Sequence, residues 1–460
     1  MKRALAFAAG LLACASALPA AAQNIAMTGV TVATGDGSDP IENGAVVVEN
    51  GRVVYAGPAA GMPQTAMPLM EAAPGTWVTP GLVATVTNLG LWDVGAVSES
   101  NDIRAGDSPF SAALDAAPIV NPASQHIAVH RAAGVTRAAT VTSASSSIFG
   151  GQGAIIDLGS DPQAVTRARA FQTVSLGESG ARLAGGSRAS AHALLRNALR
   201  EANEFGSDAR IPGIRARPAE QGVGDDVPLD PRLVDNRTER GDDVLLSRFD
   251  AAALVPVVRG EQPLYVMVER ASDIRSVLAL KREFANLDLV LVGASEGWLV
   301  ASDIAAAGVP VIADGLDDLP QGFEELAATQ SNIGRMVKAG VTVAINAAAM
   351  ENPRNLNQYA GNLVALSRIP GADGLSWGQA FAAITSVPAR ISGLGGRAGV
   401  LAPGAAGDVV IWDGDPLEVG AMPTRVFIDG VEQPLENHQS RLRDRYRDLD
   451  ESDLPKAYDW

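Results

Sequence analysis

The chain has 460 residues, 47% of them hydrophobic and 19% charged, with a formal net charge of −16. That length holds a barrel of roughly 250 residues or more plus a satellite domain, and that apolar content excludes a disordered chain. The acidic balance repels nucleic acid and anionic membrane surfaces, so neither is an expected partner.

The start reads as an export signal. Lys2 and Arg3 precede an Ala- and Leu-rich run over 4–19, and Ala20, Ala21 and Ala22 supply small residues before a cut ahead of Gln23. Residues 1–22 are therefore expected to be a signal peptide, and the mature protein periplasmic. The apolar run is too short for a stable anchor and no later stretch is longer, so no membrane span is expected. The single cysteine, Cys14, lies in this segment. Leu11, Leu12 and Ala13 before it also allow a lipoprotein cleavage site, although the preceding apolar region is short. A chain cut after residue 22 has no cysteine and hence no disulfide.

Residues 24–57 alternate and turn, with a hairpin centred on Asn50 and Gly51. Residues 399–430 repeat the style, with Asp-Gly turns. A small β-sandwich domain built from both chain ends, 23–75 and 397–435, is expected. Between them, over 76–396, apolar strands at 78–89, 135–142, 263–268, 287–292, 309–313 and 341–346 alternate with helices such as 190–205 and 273–284. That alternation predicts an α/β fold with a parallel sheet, closed as a (β/α)8 TIM-type barrel. Residues 206–243, rich in Pro, Gly, Arg and Asp, read as an inserted loop or lid. Residues 436–460 form a charged tail, expected as a solvated helix.

The segment V-T-P-G-L-V-A-T-V-T-N-L-G at 78–90 resembles the opening barrel strand of the amidohydrolase superfamily, usually close to V-T-P-G-L-I-D-A-H-T-H-L-G. Further blocks follow in the right order: A-G-V-T-R-A-A-T-V-T-S at 133–143, I-F-G-G-Q-G-A-I-I-D-L at 148–158, A-S-D-I-R-S-V-L-A-L-K-R-E-F at 271–284, A-F-A-A-I-T-S-V-P-A-R-I-S-G-L-G at 380–395, and G-V-L-A-P-G-A-A-G-D-V-V-I-W-D-G-D-P-L-E at 399–418. They are similar to exported imidazolonepropionase-like and prolidase-like amidohydrolases and frame nearly the whole mature chain.

The resemblance implies metal-assisted hydrolysis of amide or cyclic C–N bonds, in which zinc or another divalent ion lowers the pKa of a bound water and polarises the carbonyl. It implies a His-x-His pair on strand one, histidines on strands five and six, often a carboxylated Lys or a Glu on strand four, and an Asp on strand eight that also serves as general base. The sequence departs from this at each alignable point. Val86 and Asn88 stand at the first pair, Met267 and Glu269 on the fifth strand, and Asp157 where relatives often carry a lysine. L-V-L-V-G-A-S-E has no histidine and V-T-V-A-I-N-A-A-A-M, which carries Asn346, has no aspartate.

The chain holds four histidines, His126, His130, His192 and His438, none on an expected strand. His126 and His130 are four apart, so on a helix they share a face and have a spacing that can hold a metal. No Glu follows His126 to make H-E-x-x-H, and both are expected on a helix surface. His192 is expected to cap or pack a helix start, and His438 to be solvated. Residues 293–297 fit G-x-S-x-G, the nucleophile elbow of serine hydrolases, but the only downstream histidine is His438. G-G-Q-G at 150–153 lacks the Lys-Ser/Thr ending of a phosphate loop and reads as a tight turn.

The expected protein is thus a degenerate, non-catalytic barrel with no cofactor. Its ligand would be a small molecule or peptide held by a pocket drawn from Asn88, Glu269, Glu296, Asp314 and Asn346, with Asp93 nearby. It is expected to form a homo-oligomer, or a heteromer as partner subunit of an active relative. The alternative is a metal-dependent hydrolase acting on a cyclic amide or on Xaa-Pro-type peptide bonds.

Overall fold

The computed structural model describes residues 22–208, 245–346 and 353–447. The expected signal segment at 1–21, the inserted loop from 209 onward and the end of the charged tail lie outside the described residues.

The chain opens with β1 (Ile25–Val32), β2 (Ile41–Glu49) and β3 (Arg52–Pro58), an antiparallel meander. Asn50 and Gly51, at φ 51° and 74°, make the two-residue hairpin between Glu49 and Arg52. Both central residues are left-handed, as a turn matching strand twist requires, and Asn-Gly tolerates that. β4 (Trp77–Pro80) pairs parallel to β1 and passes through Gly81 straight into β5 (Leu82–Thr87). A side chain at Gly81 would collide with Thr136.

The barrel sheet continues with β6 (Val135–Thr140), β7 (Phe149–Asp157), β8 (Val165–Ser175), β9 (Leu264–Val268), β10 (Leu289–Gly293), β11 (Val311–Ala313) and β12 (Val343–Ile345), hydrogen-bonded in sequence order from β5 to β12. The return into the small sheet supplies β13 (Val409–Trp412), β14 (Pro423–Ile428) and β15 (Val431–Gln433). The small sheet has the order β15-β14-β13-β4-β1-β2-β3. It is one ladder rather than two facing sheets. It curls over its own core, so that Arg52 at one edge bridges Ala406 just ahead of β13.

The barrel differs from a purely parallel one in a single strand. β7 runs antiparallel to both β6 and β8. The connections over 141–148 and 158–164 carry no helix, and a parallel return needs a dozen or more residues. G-G-Q-G is therefore strand rather than tight turn. Its glycines permit close approach: a side chain at Gly153 would collide with the Phe171 ring. Between β5 and β12 the wall is completed by an irregular segment, where Ala383 and Ile384 carbonyls accept from the N–H groups of Ile345 (3.0 Å) and Val83 (2.9 Å). Thr85 Oγ1 also donates directly to Ile345 O at 3.2 Å.

Side chains alternate across the wall. Leu289 and Leu291 face the outer helices, while Val290 and Val292 face the interior with Val86, Ala139, Ile155, Ile312 and Ala344. Phe171 and Tyr265 stack inside at 4.3 Å, so the interior is a packed core rather than a channel. Buried Arg137 on β6 joins the two sheets. Its guanidinium donates to both oxygens of buried Asp408 (2.7 and 2.9 Å) and to Asp429 (2.7 Å). The tail helix His438–Arg445 has no buried residue. Among the described residues no helix is long and apolar enough to cross a membrane.

Candidate functional site at the barrel mouth

A barrel's strand ends face one way, and loops there carry its sites. At the end of β5, Val86 sits at φ 43°, an unusual conformation for a β-branched residue. The pairing with β6 slips between Ala84 and Thr87, a local bulge. Val86 packs into the barrel interior. Asn88 Nδ2 donates to Val141 O at 2.6 Å, tying β5 to the loop after β6.

The functional groups that do converge lie on the opposite wall. Glu269 follows β9 and is buried, and its Oε2 accepts from both Ser295 N (2.9 Å) and Ser295 Oγ (2.7 Å). Gly293 and Ala294, at φ 92° and 52°, turn the chain after β10 so that both Ser295 donors reach that oxygen. A side chain at Gly293 would collide with the Glu269 carboxyl group, so glycine is required there. Burial pushes the Glu269 carboxyl up to about 8; the Ser295 hydrogen bonds oppose the shift and the charges of Asp314 and Glu325 add to it. Asp314 follows β11 and is raised to about 7, by burial first and by Asp317 next; a hydrogen bond with the Asn346 side chain opposes this. Asp314 Oδ1 is buried without a partner. Burial raises Tyr359 as well, with Asp314 and Asp317 adding to it.

The structure thus brings together Glu269, Asp314 and Asn346 of the expected pocket, with Met267 half-buried behind Glu269. It does not bring Glu296 to them. Glu296 accepts from Ala271 N (3.0 Å) and Ala327 N (3.2 Å), fixing a helix start and a loop. Asp93 accepts from Asn121 Nδ2 (3.2 Å) and Gln125 N (3.3 Å) at the start of the helix Gln125–Ala132. Ser295, Asp317, Glu325 and Tyr359 escaped sequence reasoning as members of this group. Only Ser295 carried a signal, and its hydroxyl serves Glu269 rather than a histidine.

The expectation of surface histidines fails for His130. It is 2% exposed, because this short helix is covered by the barrel on one side and by 353–355 and the tail helix on the other. His126 stacks on Trp92 with centroids 3.9 Å apart.

A divalent ion, as the family pattern implies, does not fit the residues present. Val86 offers no donor, Met267 only a thioether, Asn88 spends its amide on Val141, and Glu269 accepts two bonds from Ser295. Among the described residues no three His, Cys, Asp or Glu side chains come together as a donor set.

The solved structure of an amidohydrolase from Thermotoga maritima MSB8 superposes with a TM-score of 0.72 at 21% identity, covering 89% of this chain and 99% of that one. The Amidohydrolase family model matches residues 301–432, from the helix before β11 into β15. Over 60 residues, 13% of this chain, the sequence is 47% identical to Amidohydrolase tasK of Hapsidospora irregularis, and the match spans 6% of that protein. The chain belongs to the amidohydrolase superfamily. A further structural neighbour of this superfamily member is molinate hydrolase, with a TM-score of 0.49 and 15% identity over 90% of this chain and 95% of that one.

Proposed function

We propose that this amidohydrolase-superfamily protein is a periplasmic ligand-binding barrel that uses no divalent ion at its mouth. The observation that carries the proposal is the donor set: strand ends that would need nitrogen ligands present Val86, Asn88, Met267, Ser295 and Asn346. What the mouth offers instead is hydrogen bonding. Glu269 and Asp314, with pKa values of about 8 and about 7, retain protons near neutrality and so both donate and accept. With the Asn346 amide they suit the carbonyl and N–H of a small amide or a peptide. Such a protein acts alone, as a homo-oligomer, or beside an active relative whose substrate it holds.

A second reading is favoured by the same two pKa values. Carboxyls poised near neutral pH suit general acid and base roles. They support a hydrolase acting on a cyclic amide or an Xaa-Pro-type peptide bond.

Incubation of the mature protein with a panel of lactams and Xaa-Pro dipeptides, with and without added zinc, separates the two. The proposal expects binding by calorimetry, weakened at least about tenfold by Asp314→Ala, and no product by mass spectrometry. Turnover that Glu269→Gln abolishes would overturn it, and dependence of that turnover on zinc would restore the family's usual chemistry.

A further inference from the structure

A cavity of about 280 Å³ lies between the end of β5 and the helix Gln125–Ala132, away from Glu269 and Asp314. We infer that this cavity is a second ligand site, for a neutral ring-bearing molecule that donates an N–H to His130 Nε2.

His130 carries the argument. Its Nδ1 lies 2.6 Å from the His126 carbonyl oxygen. A carbonyl only accepts, so Nδ1 bears the hydrogen, and in the neutral ring Nε2 is left as a bare acceptor. Burial pulls the His130 pKa down to about 4, with the charges of His126 and Arg354 adding to it, so the ring is neutral at physiological pH. Nε2 is buried and has no partner, although His130 lines the cavity. A buried acceptor left unmade is costly, typically about 1–3 kcal/mol, and a donor arriving in the cavity removes that cost.

The walls define the rest of the ligand. Leu89, Trp92, Ile103 and Pro353 give apolar surface for a ring edge. Asn101 Oδ1 is taken by Ile103 N at 3.1 Å, which leaves its Nδ2 to donate to a ligand carbonyl. No carboxylate lines the cavity, and Arg354 presses its positive charge on His130, so a cation gains nothing there. An apolar cavity of about 150 Å³ accepts a benzene ring, so this one admits a ring with substituents. The inference stands apart from the barrel-mouth reading, because none of its residues belongs to the Glu269–Asp314 group.

The test uses 2-pyridone, which has an N–H beside a carbonyl, and its N-methyl analogue, which lacks the donor. In protein labelled with ¹⁵N-histidine, 2-pyridone is expected to shift the His130 Nε2 resonance and to bind at least about tenfold more tightly than the N-methyl compound. His130→Phe keeps the ring and removes the acceptor, and is expected to abolish the difference. Should that variant fail to fold, the comparison of the two probes on the unaltered protein decides alone. Equal binding of both probes, or no Nε2 shift up to the solubility limit of 2-pyridone, overturns the inference.

Discussion

Arg137→Ala is expected to cost the fold about 3–5 kcal/mol, the range found when one member of a buried ion pair is removed. Arg137 is 7% exposed and Asp408 1%. Burial works against the charge on Arg137, but the Asp408 and Asp429 carboxylates outweigh it and hold the guanidinium firmly protonated. Truncation leaves Asp408 buried, with its remaining recorded donor the Asp429 N–H at 2.9 Å. The pair also fastens β6 of the barrel to the small sheet, so docking of the two sheets is lost along with the hydrogen bonds. Urea unfolding of Arg137→Ala against the unaltered protein measures the effect. A loss below about 1 kcal/mol would mean that the carboxylates escape to water and that the clamp contributes little.

The second large effect concerns pH. Glu269 and Asp314 have folded-state pKa values of about 8 and about 7, against 4.5 and 3.8 for free groups. The native state therefore binds more protons than the unfolded chain between these limits, and stability falls as pH rises through that window. Asp157, raised to about 6 mainly by burial, acts in the same direction at lower pH. His130 acts oppositely: with its pKa depressed from 6.5 to about 4, its contribution is present above 6.5 and lost as pH falls. Above about pH 6.5 the slope therefore belongs chiefly to Glu269 and Asp314. Between pH 6.5 and 9 the protein is expected to lose on the order of 2–3 kcal/mol. Glu269→Gln and Asp314→Asn, which cannot ionise, are each expected to flatten that slope and to be more stable than the unaltered protein at pH 9. Thermal melts across this range check it. A flat profile for the unaltered protein would show that both carboxyls ionise freely and that the mouth is wetter than described.

The barrel was legible in the sequence because its parallel strands are short apolar runs buried on both faces, as at Leu289–Gly293 and Val311–Ala313. The Asn50–Gly51 hairpin was legible because left-handed backbone at both positions demands those residue types. β7 was not, because Phe149–Asp157 begins with glycines that read as turn. They are needed where Phe171 and Leu114 press against the strand, a constraint only the packing reveals. β8 was hidden by its alternating arginines, Arg167 and Arg169, on a strand whose first half is largely solvent-facing. At the mouth, Glu269 and Asp314 could be found because carboxylates at barrel strand ends are unusual enough to note. Asp317, Glu325 and Tyr359 come from loops whose return to the mouth no local pattern encodes. Glu296 met the same strand-end criterion, yet its oxygens are spent on backbone N–H groups. His130 was misjudged because a four-residue spacing identifies a shared face without saying which neighbour covers it.

The central claim, that this superfamily member works without a divalent ion, is tested most directly by the metal content of the mature protein. Purification without chelator and without a His-tag, followed by elemental mass spectrometry, gives the ratio. The account predicts a folded protein with far less than one equivalent of zinc, manganese or iron per chain. One equivalent or more, retained through dialysis, would contradict it.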